Sequence, residues 1–148
     1  MIASIKNIIL TPVEIIDNPK GEILKGMDCA DKGFSGFGEA YFSAVKPEQI
    51  KGWNRHKLMT LNLIVPIGSV KFVVIDDKND GINKNNIFEV ELSIHNYQRL
   101  TIPPGLWVGF ECTSKTKSFI LNIADMVHDP NEIERIDLEK INYNWKSK

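Results

Sequence analysis

The chain has 148 residues, of which 43% are apolar and 25% charged, and its formal net charge is −1 at pH 7. These values are typical of one soluble globular domain spanning residues 1–148. No block of Lys and Arg is present, which argues against a nucleic-acid partner, and no apolar run approaches the about 20 residues that cross a bilayer. Without a secretory signal at its start and with only Cys29 and Cys112, the chain is expected to be cytoplasmic with free thiols.

Short strands separated by turns account for most of the chain. β-Branched and aromatic residues are concentrated in ten segments, with clusters of Gly, Pro, Asn and Asp between them. The predicted strands are residues 5–10, 13–16, 38–45, 49–53, 59–65, 70–76, 87–92, 99–102, 107–112 and 118–124. Strands at this spacing predict an all-β sandwich or barrel.

Two segments differ from this pattern. Residues 21–36 hold four glycines and show little periodicity, which predicts a mobile surface loop with the length of a lid. Near the C-terminus, Asp129 and Glu132 have the spacing of a capping box, with Pro130 at the first helical position. We expect a short helix from there to Arg135 and a second helical turn near residues 138–141.

Polar and apolar residues alternate along the predicted strand 38–45. Glu39, Tyr41 and Ser43 share one of its faces, whereas the small or apolar residues between them share the other. A strand with a polar inner face suits a barrel that encloses a polar pocket.

Residues 50–68 and 102–108 resemble the two motifs of cupin barrels. The four positions that hold metal ligands in cupins are occupied here by Asn54, His56, Leu61 and Val108. A stable transition-metal site needs three or four convergent donors, and one histidine does not make one. The resemblance therefore implies a cupin-type jelly-roll β-barrel with a short C-terminal helical segment, and we expect no metal and no cofactor.

Five segments resemble the dTDP-4-dehydrorhamnose 3,5-epimerase family, in particular its shorter members, and the likeness covers nearly the whole chain. These segments are residues 38–43, 50–56, 59–62, 102–110 and 128–130. The resemblance implies a homodimer that epimerises a keto-sugar nucleotide without a metal, for the deoxysugars of surface polysaccharides. In this family a general base removes a proton next to the 4-keto group, and a general acid returns one from the other face.

The family's two proton-transfer positions have changed in this chain. The base position falls on Asn54, a neutral amide, and the acid position falls on Leu121, which has no transferable proton. The carboxylate that pairs with the base in the family corresponds to Asp137. Epimerisation would therefore need a different acid and base.

His56 is the candidate base, because on a strand it faces the same way as Asn54 and an imidazole ordinarily titrates near pH 6.5. Tyr41 is the candidate acid, with Glu39 as its orienter or a second acid or base, and Asp137 completes the predicted catalytic set. The alternatives are a structural histidine, a tyrosine packed in the barrel and a salt-bridged surface carboxylate.

The predicted substrate-binding residues come from the same resemblance. They are Lys20, Ser43, Lys51, Asn54, Asn62 and Trp107. The two lysines would pair with a diphosphate, and Trp107 would stack on a base or sugar. The alternatives are two solvated lysines and a tryptophan of the core.

Two functions remain open at this point. The first is an epimerase or isomerase of a nucleotide-linked keto sugar, with proton transfer centred on His56. The second is a catalytically impaired family member that binds a sugar nucleotide or supports a partner enzyme. The loss of both family catalytic positions motivates the second.

Overall fold

The computed structural model describes residue 5 and residues 7–78 and 86–145. These residues form twelve strands and one 3-10 turn. The strands are β1 (Ile9–Pro12), β2 (Ile15–Ile16), β3 (Ile23–Leu24), β4 (Glu39–Val45), β5 (Ile50–His56), β6 (Leu61–Ile67), β7 (Ser69–Ile75), β8 (Ile87–Ser93), β9 (Gln98–Ile102), β10 (Trp107–Cys112), β11 (Ser118–Ala124) and β12 (Ile133–Arg135), and the turn is Leu138–Lys140. In this described part, no helix is long and apolar enough to cross a bilayer.

Two five-stranded antiparallel sheets form the body of the molecule. Sheet 1 has the order β1-β9-β6-β11-β4, sheet 2 has the order β12-β5-β10-β7-β8, and β2 and β3 form a separate hairpin. From β4 onward the chain changes sheets at every connection except the hairpin between β7 and β8. This pattern confirms the predicted all-β jelly roll.

The main core lies between the two sheets. It is formed by the side chains that alternate inward along the strands. Leu61, Leu63 and Val65 of β6 belong to the same buried cluster as Phe72 and Val74 of β7. Because successive side chains on a strand point to opposite faces, each sheet contributes every second residue to this layer. The layer is incomplete near β4 and β5, where a cavity takes its place.

A second apolar cluster covers the outer face of sheet 2. There the C-terminal segment 136–145 lies against Trp53, whose indole N–H donates to the carbonyl of Leu138 at 3.1 Å. The rings of Trp53 and Trp145 have centroids 5.1 Å apart. Gly109 is required beneath them, because an added Cβ would lie 2.8 Å from Cζ2 of Trp145. The C-terminal segment therefore belongs to the fold and is not a free tail.

The helix predicted from Asp129 is wrong. Asp129 does begin a turn, since its Oδ1 accepts from the N–H of Asn131 at 2.9 Å, but the residues after that turn form β12. Ile133 pairs with His56 on β5, and the carboxylate of Glu132 contacts His56 instead of capping a helix. A free strand edge and a buried partner outweigh the local capping signal. The second predicted helical segment is a single 3-10 turn.

The predicted lid in residues 21–36 is also wrong, because part of this segment forms β3 and the rest packs on the outside of sheet 1. Arg99, whose side chain is 1% exposed, donates to the carbonyls of Gly26 at 2.9 Å and Lys32 at 3.1 Å. Its guanidinium also lies 3.2 Å from Asp31. The segment is thus fastened to the sheet face opposite the cavity and cannot close over it.

The predicted N-terminal strand is shifted toward the C-terminus. The structure has β1 at Ile9–Pro12, whereas Lys6 of the predicted strand 5–10 lies outside the described residues. Pro12 is tolerated because β1 is the edge strand of sheet 1, where a missing backbone N–H breaks no ladder.

Candidate functional site

A cavity of about 260 Å³ lies between the two sheets, on the side where β4 and β5 meet. We call it the barrel cavity. Its apolar wall comes from the inward residues of β6, β7, β10 and β11: Leu61, Leu63, Phe72, Val108, Phe110 and Ile120. Its polar residues are Tyr41, Ser43, Lys51, Asn54, His56 and Asn122. An apolar cavity with a few converging polar groups is the usual form of a small-molecule site.

Strand β4 supplies one polar wall. Tyr41 and Ser43 both line the cavity, as the alternation of this strand predicts. The neighbouring strand β11 places Asn122 directly opposite Tyr41. Because paired residues of an antiparallel sheet share a face, Asn122 also points inward.

Strand β5 supplies the facing wall, and its side chains depend on a β-bulge. Two residues separate Lys51 from Asn54, but only Gly109 separates their partners on β10. Strict alternation would place Lys51 and Asn54 on opposite faces of the sheet. The extra residue corrects the phase, so Lys51, Asn54 and His56 all line the cavity.

His56 forms a buried pair with Glu132. The imidazole Nδ1 contacts Oε1 of Glu132, and the two side chains are 11% and 3% exposed. The second oxygen, Oε2, accepts from the backbone N–H of Leu58 at 3.1 Å and of Met59 at 3.2 Å. The carboxylate is therefore held from both sides and cannot rotate away from the imidazole.

The charge of Glu132 determines how His56 is oriented. Burial acts to raise the pKa of this carboxyl, but hydrogen bonds from His56 and from the N–H groups of Leu58 and Met59 outweigh burial and lower it. An ionised carboxylate only accepts hydrogen bonds, so Nδ1 of His56 carries the proton. Nε2 is then the ring nitrogen without a proton.

On the opposite wall, the phenol of Tyr41 is oriented by Asn122. The side-chain amide of Asn122 donates to the Tyr41 hydroxyl oxygen at 3.0 Å, which leaves the phenolic proton free to be donated elsewhere. Asn122 is 3% exposed, and its Oδ1 has no hydrogen-bond partner in the described part of the chain. A buried acceptor of this kind can accept a hydrogen bond from a molecule in the cavity.

Lys51 connects the two walls at the open side of the cavity. Its ammonium donates to the carbonyl of Ala44 on β4 at 2.7 Å. Because this carbonyl belongs to the edge strand of sheet 1, the contact shows that β4 and β5 lie on the same side of the sandwich. One positive charge is thereby kept at the entrance.

Three residues of the predicted site lie on other surfaces. Trp107 is on the outer face of sheet 2, where its indole donates to Asp77 at 2.9 Å. Asn62 is on the outer face of sheet 1 and donates to the carbonyl of Gly33 at 3.1 Å. In both strands alternation sends the neighbouring residue inward. Lys20 lies in the exposed turn before β3.

Two predicted catalytic residues are also outside the barrel cavity. Glu39 begins β4, beyond the end of the cavity, and accepts from the backbone N–H of His128 at 3.1 Å. Asp137 precedes the 3-10 turn and lines a separate surface pocket. The carboxylate that contacts His56 belongs to Glu132 and not to Asp137.

Two residues of the site, Glu132 behind His56 and Asn122 in the cavity wall, were not among the predicted residues. Glu132 carried no local signal, because 76 residues separate it from His56 and its position in a capping box explained it otherwise. Asn122 did carry one. It is the polar residue in an otherwise apolar stretch of β11 and shares the inward phase of Ile120, whereas Leu121 lies on the outer face.

In residues 5, 7–78 and 86–145, no group of three or more His, Cys, Asp and Glu is arranged to hold a metal ion. Cys29 and Cys112 are both free thiols, the first exposed and the second buried. The polar side chains of the barrel cavity carry imidazole, phenol, hydroxyl, amine and amide groups.

Comparison with known proteins gives strong similarity to sugar-nucleotide enzymes. A dTDP sugar isomerase from Desulfovibrio desulfuricans G20 is 34% identical, with a TM-score of 0.87 over 95% of this chain and 91% of that one. The dTDP-4-dehydrorhamnose 3,5-epimerase from Elizabethkingia anophelis NUHP1 shares the fold at 15% identity, with a TM-score of 0.76 over 97% and 83% of the two chains. No family model matches the sequence.

A curated relative agrees with these structures. The probable low-salt glycan biosynthesis epimerase Agl13 of Haloferax volcanii is 27% identical over 105 residues, which are 70% of this chain. The match spans 65% of that relative's length.

A jelly-roll barrel with a polar cavity between its sheets defines the general class, the cupin-type barrels. Within that class, the chain belongs to the family of dTDP-sugar isomerases and epimerases that share the fold of dTDP-4-dehydrorhamnose 3,5-epimerase.

Proposed function

We propose that the protein is an isomerase that epimerises a dTDP-linked keto-deoxysugar by proton abstraction and return. The observation that carries this proposal is the buried pair of His56 and Glu132, with His56 lining the barrel cavity. The names of the related proteins support the substrate class, and the glycan epimerase among them supports a role in polysaccharide biosynthesis.

His56 acts as the general base in this proposal. Its Nε2 accepts the proton from the carbon next to the keto group, and the resulting imidazolium is stabilised by the carboxylate of Glu132. Such a pair also keeps the ring in one tautomer and one orientation. Less entropy is then lost when the imidazole reaches the reactive geometry.

Tyr41 acts as the general acid. It lies on sheet 1, whereas His56 lies on sheet 2, so a sugar ring between the sheets would have one group on each face. Inversion of a carbon centre needs proton removal from one face and return to the other. The bond from Asn122 fixes the phenol with its proton directed away from the amide.

The enolate that forms between the two steps needs stabilisation at its oxygen. Asn54 and Lys51 line the same wall as His56 and offer an amide N–H and an ammonium. Donors held in place before the reaction stabilise developing negative charge without reorganising. Asn54 would thus serve as an oxyanion donor at the position where the family has its base, and Ser43 and Asn122 would bind sugar hydroxyls.

We also propose a homodimer. The outer face of sheet 1 exposes large apolar side chains, with Phe42 66% and Ile67 56% exposed. The two belong to one surface, because Phe42 pairs with Leu121 and Ile67 pairs with Phe119 on the shared strand β11. A second copy that covers this face would remove the apolar area from water. The cytoplasmic location remains a prediction.

Solvent deuterium exchange tests the catalytic proposal. In D₂O, the wild-type protein should incorporate deuterium next to the keto group of dTDP-4-keto-6-deoxyglucose and invert that carbon. The variant His56→Ala should lose both exchange and inversion by about 10²-fold or more, the usual contribution of a general base. The variant Tyr41→Phe should keep exchange from the His56 face while inversion falls.

The matched control is His95→Ala, which removes an exposed histidine in the turn after β8. Circular dichroism should show an unchanged fold in all three variants. Equal activity of His56→Ala and His95→Ala would refute the assignment of the base. Binding of dTDP with no exchange on any keto sugar would instead favour the non-catalytic binding protein.

A further inference from the structure

We propose that Asn122 is a specificity-determining residue that directs the reaction to carbon 3 of a 4-keto sugar. Its carboxamide oxygen accepts a hydrogen bond from a hydroxyl group on the carbon 3 side of the ring. The inference rests on the proposed function for its ligand. It selects one of the two carbons beside the keto group, carbon 3 and carbon 5, as the carbon that exchanges its proton.

Asn122 combines deep burial with an unused acceptor. Its side chain is 3% exposed and lines the barrel cavity. Its Nδ2 donates to the hydroxyl oxygen of Tyr41 at 3.0 Å, whereas its Oδ1 has no hydrogen-bond partner among the residues that the structure describes. Buried polar groups are normally hydrogen-bonded. A substrate that brings a donor to Oδ1 therefore gains a hydrogen bond that a substrate without this donor lacks.

Strand pairing determines what surrounds this amide. Strand β11 lies between β4 and β6 in sheet 1, and Asn122 is directly opposite Tyr41 on β4 and Leu63 on β6. Both neighbours line the same cavity. The amide is thus held between a phenol on one side and an apolar side chain on the other.

The acceptor lies close to the proposed general acid. Because the oxygen and nitrogen of one amide are about 2.2 Å apart, Oδ1 of Asn122 lies within roughly 5 Å of the Tyr41 hydroxyl. An acid that returns a proton must come to about 3–3.5 Å from the reacting carbon. A donor that reaches Oδ1 at the same time must therefore sit on the reacting carbon or on the carbon next to it.

The chemistry of a 4-keto-6-deoxy sugar separates the two candidate carbons. Carbon 3 carries a hydroxyl group, and its neighbour carbon 2 carries another. Carbon 5 carries a methyl group and the ring oxygen, and its other neighbour is the keto carbon, so that side of the ring has no hydrogen-bond donor. An acceptor beside the acid consequently matches reaction at carbon 3 and not at carbon 5.

The rest of the cavity wall suits the methyl side of such a sugar. Six of the twelve lining side chains are apolar, including Leu61 and Val108, which are 7% and 8% exposed. A methyl group packs against this wall without leaving a polar group unpaired, whereas a hydroxyl group there would lose its hydrogen bonds to water. A ring with its carbon 3 side at Asn122 can place its methyl group against these side chains.

The position of deuterium in the recovered sugar tests the proposal. With dTDP-4-keto-6-deoxyglucose in D₂O, NMR should show that the wild-type protein incorporates deuterium at carbon 3 and little at carbon 5. Asn122→Leu keeps the side-chain volume but lacks the acceptor, and it should exchange carbon 3 several-fold to about tenfold more slowly. Asn122→Asp retains an acceptor oxygen and should keep most of the exchange at carbon 3.

Binding of deoxygenated substrates separates the hydroxyl contact from a merely structural role. By calorimetry, the wild-type protein should bind the 2-deoxy or the 3-deoxy form of the same keto sugar nucleotide several-fold more weakly than the parent compound. Asn122→Leu should bind that form and the parent equally. A structural role of Asn122 would instead weaken the binding of all three compounds to the same extent.

The matched control is Thr101→Val, which removes a buried hydroxyl group from the outer face of the same sheet. It should behave like the wild type in both measurements. Equal exchange at carbon 3 in the wild type and Asn122→Leu would overturn the assignment, and so would an equal loss in Thr101→Val.

Failure of this inference and failure of the catalytic proposal give different results. Exchange by the wild-type protein at carbon 5 alone, or equally at both carbons, would overturn the inference and leave the epimerase intact. No exchange at either carbon would refute the epimerase and the choice of carbon 3 together. A hydroxyl-dependent affinity that disappears in Asn122→Leu would then still support the contact at Asn122, and its absence would refute that contact as well.

Discussion

At the scale of single residues, the imidazole of the cavity lies two positions beyond the place where the related family has its base. Position 54 faces the centre of the barrel and opposes Val108, whereas His56 lies at the end of β5, within reach of Glu132. Asn54 lines the barrel cavity and can offer its side-chain amide there. In the proposed mechanism His56 and Glu132 act as a pair, because a buried Glu132 without a partner would be costly.

Replacing Glu132 tests this pair through stability. Since the pKa of Glu132 in the folded protein lies below its ordinary value of 4.5, the ionised carboxylate stabilises the fold above that pH and stops doing so as the pH falls through the folded pKa. We expect Glu132→Gln to lower the free energy of unfolding by about 1–3 kcal/mol at neutral pH. The difference should shrink once the pH drops below about 4.

Urea unfolding of both proteins at several pH values measures this difference. The control is Glu22→Gln, an exposed carboxylate in the turn before β3, which should change stability little at any pH. A Glu132→Gln effect that is constant across the whole pH range would contradict the charged pair.

At the scale of elements, two long-range contacts determine the shape of segments that have little local preference. Strand β12 forms because the free edge of β5 pairs with it. The segment after β3 is held by Arg99, which reaches it from β9 across the outer face of sheet 1. The local sequence of these two segments predicts a helix and an irregular loop. Their partners, His56 and Arg99, lie more than 60 residues away in the chain and leave no local signal.

Removing the Arg99 side chain should release the segment after β3. Arg99→Met leaves the carbonyls of Gly26 and Lys32 without their donor, so we expect a loss of about 3 kcal/mol in stability. Trypsin should then cleave near Lys25 and Lys32 faster than in the wild type. Affinity for dTDP should be retained, because this surface lies opposite the cavity. A loss of dTDP binding in the variant would show that the segment does influence the site. Lys115→Met serves as the exposed control.

At the scale of the whole molecule, the two faces of the sandwich differ in how they are covered. The outer face of sheet 2 is closed by the chain itself, through residues 136–145. The outer face of sheet 1 is covered only in part, by the segment that Arg99 holds, and Phe42 and Ile67 remain exposed. This asymmetry is the physical basis for the proposed dimer.

Charged substitutions on sheet 1 should prevent the dimer. Sedimentation velocity should show a dimer for the wild type and a monomer for Phe42→Glu/Ile67→Glu, since burying two carboxylates in an apolar interface is unfavourable. Val127→Glu alters a side chain that is 65% exposed but lies in the turn after β11, and it should remain dimeric. A wild-type monomer, or a double variant that still dimerises, would place the contact elsewhere.

β-Propensity and alternation are local properties, so the strands, the all-β class and the polar face of β4 could be predicted from the amino-acid sequence. The sequence also identified Tyr41, Ser43, Asn54 and His56 as cavity residues. The inward direction of Lys51 could not be predicted, because it depends on a bulge and a bulge depends on the partner strand. Nor could local sequence show that Glu132 and not Asp137 contacts His56, that Trp107 and Asn62 face outward, or that β12 is a strand. Pairing and burial between residues far apart in the chain carry more free energy than a capping signal, and no local pattern encodes them.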